Sequence, residues 1–322
     1  MTALVPRPTS VIFHDGRLEA PGEPEGPTAI VSLAREVMGD RATGSYAVIA
    51  DPTLGDEGYR LRIDESGVHA GAATETGLRW AVQTVRQFVP DLPYCEIVDV
   101  PRYAWRGAHL DVARWCHPIG FVRKFVDVAA LHKLNTLHLH LTDDQGWRFE
   151  VRKYPRLAEI GGFRRESMAG LWHENRFDGT PHGGFYTQDE LRDLVTYAER
   201  RGVRVMPEID LPGHMQAAIS AYPELGNDPT ARLDVRTSWG ISKHILNCAP
   251  ETVAFFKDVL DELIDVFPFR MVHLGGDEVP PDEWQASPAA RARPLSGQTP
   301  MAWMMRSAST APSCKVMVSE LP

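Results

Sequence analysis

Cysteine is scarce in this chain: there are four in 322 residues, and Cys95, Cys116, Cys248 and Cys314 show no C-x-x-C spacing. That excludes a disulfide framework or a cysteine-built zinc site and leaves them as small buried hydrophobes. Positive charge is also short. Lys and Arg number 34 against 43 Asp and Glu, a net charge of -9, the wrong sign for a protein that grips a phosphate backbone. No run approaches the roughly 20 apolar residues of a membrane span. The start of the chain, broken by Pro6, Pro8, Asp15, Gly16 and Pro21, has no basic segment followed by an apolar run. No secretory signal is therefore expected, and cytoplasmic is the simplest location. What remains has the composition of a soluble globular protein, 43% hydrophobic and 24% charged.

Residues 1–101 read as a small α+β domain. Short β-rich runs at Tyr46–Ala50, Tyr59–Ile63 and Val68–Ala70 are separated by Asp and Gly turns. A helix is expected over Glu75–Phe88, with Thr74 as its cap and Leu78, Val82 and Val85 along one face. From 102 to 289 β-rich runs alternate with amphipathic helices. Strands are expected at Ala108–Val112, Thr136–Leu141, Val203–Ile209 and Met271–Leu274, and helices at Val122–His132, Thr187–Arg201 and Thr252–Phe267. Such alternation indicates parallel strands with crossover helices, an α/β fold. The stretch 290–322, rich in Pro, Ser, Thr, Ala and Met, breaks the pattern and reads as an irregular tail.

Chemistry concentrates where the four strands end. They run out into Asp111 and Arg114, into Asp143 and Asp144, into Glu208, Asp210 and His214, and into Asp277 and Glu278. In a (β/α)8 barrel those ends and their loops build the active site. The sharpest motif is His273-Leu274-Gly275-Gly276-Asp277-Glu278. Its glycines allow a tight turn and close approach of a ligand. Its adjacent carboxylates crowd one another, so one proton is held more tightly, as suits a general acid beside an ionised partner. His138 and His140, two apart on a strand, face one side. Metal ligation is one reading of them, and hydrogen-bonded packing in the barrel interior is the stronger. Trp147, Trp172 and Trp239 fall in loops and fit a sugar-stacking role or plain packing equally well. The loop Gly161–Gly184 is positioned to rim a cleft.

The runs Arg106–Arg114 (RGAHLDVAR), Leu137–Arg148 (LHLHLTDDQGWR), Pro207–His214 (PEIDLPGH) and His273–Glu278 (HLGGDE) resemble, in order and spacing, the β-N-acetylhexosaminidases of glycoside hydrolase family 20. The resemblance implies a TIM-barrel catalytic domain, of which about the first four βα units are present, behind a small non-catalytic α+β domain. It implies hydrolysis of terminal non-reducing N-acetyl-β-D-hexosamine residues, with the substrate's own acetamido group as nucleophile. Glu278 would then protonate the glycosidic oxygen and Asp277 would orient the acetamido group. Arg114, Asp143, Asp210 and His214 would bind sugar and place the acid. No cofactor or metal is implied. The partner would be an oligosaccharide or glycoside ending in GlcNAc or GalNAc. Two other readings stand beside this one: a degenerate sugar-binding chain, and a metal-dependent amidohydrolase-type barrel using the H-x-H pair. Half a barrel is also expected to leave strand edges open and apolar interior side chains exposed.

Overall fold

The computed structural model describes residues 4–291 and 315–317. The chain divides into two compact units that are not contiguous in sequence. One comprises Met1–Ala108, Val122–Leu137 and Thr196–Arg204; the other comprises His109–Phe121, His138–Val195 and Val205–Pro322.

The first unit is built on a five-stranded sheet in the order β1 (Ser10–Arg17), β5 (Pro93–Asp99), β3 (Tyr59–Asp64), β4 (Gly67–Ala72), β2 (Ser45–Val48). Only the β2–β4 pair is parallel. Alternation along β3 sends Tyr59, Leu61 and Ile63 inward. Helices α1 (Thr28–Met38) and α2 (Glu75–Phe88) cover that face with Ile30, Leu33, Leu78, Val82 and Val85. Each such side chain contributes roughly 1.5–3 kcal/mol on burial. The expected cap of α2 is present: Thr74 Oγ1 accepts from the backbone N–H groups of Thr76 and Gly77 at 3.1 and 3.4 Å. The buried cations of this unit, Lys133 and Arg201, are paired. Lys133 Nζ donates to Asp99 Oδ2 at 2.6 Å and to Tyr59 Oη at 2.8 Å. Arg201 binds Asp127 at 2.5 Å and Glu36 at 2.7 Å.

The remaining elements follow the expected alternation: β6 (Gly107–Asp111), α3 (Ile119–Leu131), β7 (Thr136–His140), α5 (Gln188–Arg200), β12 (Arg204–Glu208), α7 (Pro250–Val266) and β13 (Met271–His273). Between β7 and α5 lie the hairpin β8 (Thr142–Asp143) and β9 (Gly146–Trp147), the turn α4 (Arg156–Glu159), and the pair β10 (Phe163–Arg164) and β11 (His182–Gly183). Short helices α6 (Gln216–Ala221), α8 (Asp282–Ala286) and α9 (Pro288–Arg291) decorate later loops. α5 starts on a capping box: Glu190 Oε2 accepts from the Thr187 N–H at 2.9 Å, and Thr187 Oγ1 accepts from the Glu190 N–H at 3.2 Å.

The second sheet has the order β14-β13-β12-β7-β6, with β14 (Lys315–Met317) parallel to β13. This strand falls in the tail for which no regular structure is expected. Three residues carry too little alternation to be read, and their register is set by the ladder to Met271–His273. The other tail residues beyond Arg291 lie outside the described residues. One face of the sheet is apolar, with Leu137, Leu139, Val205 and Val272 buried. The other differs from the expected exposed apolar interior: it presents His109, His138, His140, Glu208 and His273, which contact one another. Polar groups facing inward blunt the stickiness of an open sheet.

Candidate active site

Each candidate side chain follows the C-terminal end of a strand of the second sheet, and Arg148 ties the loop that carries Arg114 to the segments at Gly162 and Gly184. Fully buried, its guanidinium donates to the carbonyls of Val112 (3.1 Å), Ala113 (2.7 Å), Gly162 (2.5 Å) and Gly184 (2.9 Å).

Asp143 is the hub. Its Oδ2 accepts from His140 Nε2 at 2.7 Å and pairs with Arg114 Nη2 at 2.7 Å. Its Oδ1 accepts from His214 Nδ1 at 3.1 Å and from the Asp144 N–H at 2.8 Å. Burial alone would raise its pKa, but the bonds from His140 and His214 and the charge of Arg114 outweigh that and bring it down to about 2. The two imidazoles respond in the opposite sense. Burial lowers them, while the carboxylates they touch carry His140 up to about 10 and His214 up to about 9. Arg114 is held a second way, its Nη1 donating to Asp111 Oδ2 at 2.9 Å. Asp111 also caps the turn by accepting from the Ala113 and Arg114 N–H groups at 2.9 and 3.0 Å.

His214 connects this hub to the end of β13: its Nε2 lies 3.3 Å from Glu278 Oε2. His214 and Glu278 both sit at positive φ, 54° and 51°, a conformation that costs side-chain-bearing residues energy and persists only where surroundings enforce it. The glycine turn behaves as its sequence implies. Gly275 and Gly276 have φ of 62° and 105°, and the Gly276 N–H donates to Asp210 Oδ1 at 3.2 Å. A Cβ at Gly275 would drive into the Asp210 carboxylate. Asp210 is almost fully buried, and burial pushes its pKa well above the usual carboxylate range despite the nearby His214. Gly213 packs against the same turn, since a Cβ there would lie 3.4 Å from the carbonyl oxygens of Asp277 and Glu278. Asp277 is half-buried and Glu278 exposed.

All six candidate residues thus lie in one unit. Arg114, Asp143, His214 and Glu278 form one chain of contacts, and Asp210 joins it through the Gly276 backbone. The sequence marks Asp111 and Glu208 as strand-end charges without giving them a role in the site, and gives none to Arg148. Glu208 accepts from His138 Nε2, His140 Nδ1 and His273 Nδ1, each at 2.7 Å, and those bonds hold its pKa far down against the effect of burial. The signal for it was available: polar residues at alternate strand positions, 138 and 140, need a polar partner on the next strand. His138 and His140 are hydrogen-bonded interior residues, as the stronger of their two readings has it. His109, His138 and Glu208 nevertheless offer ligand atoms within 4.8 Å of one another, a spacing compatible with a cation. Trp147 is core, 1% exposed with its indole N–H on the Phe149 carbonyl. Trp239 is 58% exposed.

Adjacent carboxylates on a glycine turn at the end of a parallel strand are thus linked through His214 to the buried Asp143 and its half-buried partner Arg114. The catalytic-domain model of glycosyl hydrolase family 20 matches residues 103–309, and that family's domain 2 matches residues 27–100. The chain belongs to glycosyl hydrolase family 20. It is 43% identical over 249 residues to a beta-hexosaminidase of Akkermansia muciniphila, an alignment covering 74% of this chain and 49% of that one. The crystal structure of a beta-N-acetylhexosaminidase from Bacteroides fragilis superposes with a TM-score of 0.83 at 31% identity, covering 99% of this chain and 68% of the other. A mutant Streptomyces plicatus beta-hexosaminidase in complex with product GlcNAc gives 0.80 at 30% identity, over 98% and 65%. The chain spans about half the length of the first of these relatives, the curated sequence. Among the described residues, no helix is long and apolar enough to cross a membrane.

Proposed function

We propose that this chain carries the acid machinery for hydrolysing terminal non-reducing N-acetyl-β-D-hexosamine residues with retention of configuration, acting on glycosides or oligosaccharides that end in GlcNAc or GalNAc. The observation that carries the reading is the relay from Arg114 through Asp143 and His214 to Glu278. It joins a sugar-binding fork to a proton donor through groups that hold their charges. In the first step Glu278 gives its proton to the glycosidic oxygen as the C1–O bond breaks. The acetamido carbonyl oxygen attacks C1 and closes an oxazolinium ring. Asp277 accepts the acetamido N–H and stabilises the positive charge that develops there. In the second step water, deprotonated by the Glu278 carboxylate, attacks C1 and reopens the ring, and two inversions leave the β configuration. His214, Asp143 and Asp210 are positioning residues: Asp143 orients His214 against Glu278, and Asp210 receives the glycine turn that presents both acids.

The test is a comparison of Glu278→Gln with the parent on two aryl N-acetylglucosaminides, one with an activated and one with a poor leaving group. Loss of the acid is expected to slow the poor leaving group at least about 100-fold more than the activated one. Asp277→Asn is expected to slow both. Equal rates in all three proteins would end the assignment. A degenerate sugar-binding chain would instead bind GlcNAc in every version and turn over in none.

A further inference from the structure

Asp144 is fully buried, follows the hub Asp143 directly, and has no part in the proton and sugar chemistry described above. Both of its carboxylate oxygens are engaged by backbone. Oδ1 accepts from the Gln216 N–H and Oδ2 from the Ser242 N–H, each at 3.0 Å. Its own carbonyl accepts from the Arg236 N–H at 3.1 Å. One residue in the turn between β8 and β9 thus holds both the start of α6 and the stretch 236–242. A further bond closes the figure, Ser242 Oγ donating to Gln216 Oε1 at 2.7 Å. An acid is under strain in this position, because burial and the Asp143 carboxylate beside it push its pKa up. What it gains over an amide is a second acceptor oxygen. An amide would keep one acceptor and turn its NH2 toward the other N–H.

What lies inside this clamp gives it a role. Gln216 opens α6, and the residue before it, Met215, makes no side-chain cap bond. Asp144 therefore does from another loop what a cap residue does from within the chain, taking an N–H that the helix leaves over. On the other flank the Pro212 carbonyl is held by the Leu246 N–H at 3.0 Å. Between these two anchors lie Gly213, His214 and Met215, and His214 stands at φ 54°, which both anchors help to enforce. Its Nδ1 reaches Asp143 Oδ1 at 3.1 Å and lies 3.8 Å from Asp144 Oδ2. Its Nε2 is 3.3 Å from Glu278 Oε2. We propose that Asp144 is a positioning residue: through the Gln216 N–H it fixes the backbone of His214, so that one imidazole bridges Asp143 and Glu278. That bridge exists whether or not the chain turns over, and its bearing on catalysis rests on the acid role proposed for Glu278.

Proton NMR reads the bridge without requiring turnover. The ring N–H groups that His214 and His140 give to the Asp143 carboxylate are expected as two slowly exchanging downfield signals, assigned with His214→Gln and His140→Gln. In Asp144→Asn the His214 proton is expected to exchange with solvent about tenfold faster or more, and in Asp144→Ala faster still. The His140 proton is expected to keep its parent rate. A His214 proton that exchanges as in the parent in both variants would overturn the proposal. So would a parent with no protected His214 proton. Loss of both signals in Asp144→Asn would make Asp144 a residue of the fold alone and overturn it too. Kinetics separates the bridge from the acid. Asp144→Asn is expected to slow the aryl N-acetylglucosaminide with the poor leaving group about tenfold more than the activated one, and to leave that ratio unchanged in the Glu278→Gln background. Equal slowing of both substrates would overturn the positioning role. A parent that cleaves neither would count against the proposed function, and the exchange rates would still decide the role of Asp144.

Discussion

Lys133 in the first unit and Asp210 in the second are both buried ionisable residues, and they are treated in opposite ways. Lys133 has Asp99 at 2.6 Å and the Tyr59 hydroxyl at 2.8 Å, so its charge is answered where it sits. Asp210 has the Gly276 N–H at 3.2 Å, and burial raises its pKa. A similar contrast separates one charged network in each unit. Arg201, Asp127 and Glu36 tie helices together in the first. In the second, Arg114, Asp143 and His214 are linked in a line that ends on the exposed Glu278. A buried pair with no outlet serves structure, whereas a chain of fixed charges that reaches the surface presents chemistry.

Catalysis gives the widest separation of the two. Asp143→Asn leaves His140, His214 and Arg114 around a group that no longer carries charge, and is expected to lower kcat/KM by about 100-fold or more, about 2.7 kcal/mol. Lys133→Met is expected to leave kcat/KM within about twofold. Stability reverses the ranking for Lys133. Removing one partner of a buried pair costs about 3–5 kcal/mol, so Lys133→Met is expected to shift the urea midpoint far down. If its loss proved harmless, the first unit's charges would not be structural. Gly275→Ala sharpens the point at the site itself, because its Cβ meets the Asp210 carboxylate and its φ is 62°. About 3 kcal/mol of destabilisation, read by denaturant titration, is expected, together with loss of turnover.

The smallest effect is in pH. His214 and His140 are raised from 6.5 to about 9 and about 10, so their contribution to stability is complete below about pH 6.5 and is lost as pH climbs through about 9 to 10. Asp143 is lowered from 3.8 to about 2, so its contribution is present above about pH 4 and is lost as pH falls through about 2. The thermal midpoint is therefore expected to decline from pH 6.5 to pH 10, and the decline should flatten in His214→Gln. An unchanged slope in that variant would remove His214 from the charged network.

Much of the fold was legible because the signals were local. Thr74 capping α2 and the alternation along β3 read directly from spacing, and four of the five strands of the second sheet lie within one residue of their expected ends, β14 being the exception. The first strand, the first helix and β5 went unread. β1 shows little inward alternation, with six of its eight residues exposed. α1 begins after Pro27 with no side-chain cap hydrogen bond. Neither advertises itself without the sheet and the helix it packs against.

From the sequence alone came the family, the strand ends that carry charge, and the Gly-Gly-Asp-Glu turn, because those depend on residue type at fixed spacing along one chain. The tertiary structure decided which charges meet: that Asp143 serves three side-chain partners, and that Glu208 gathers three histidines. Those are contacts across tens of residues, and their energies depend on distance and burial that no spacing in one dimension can encode.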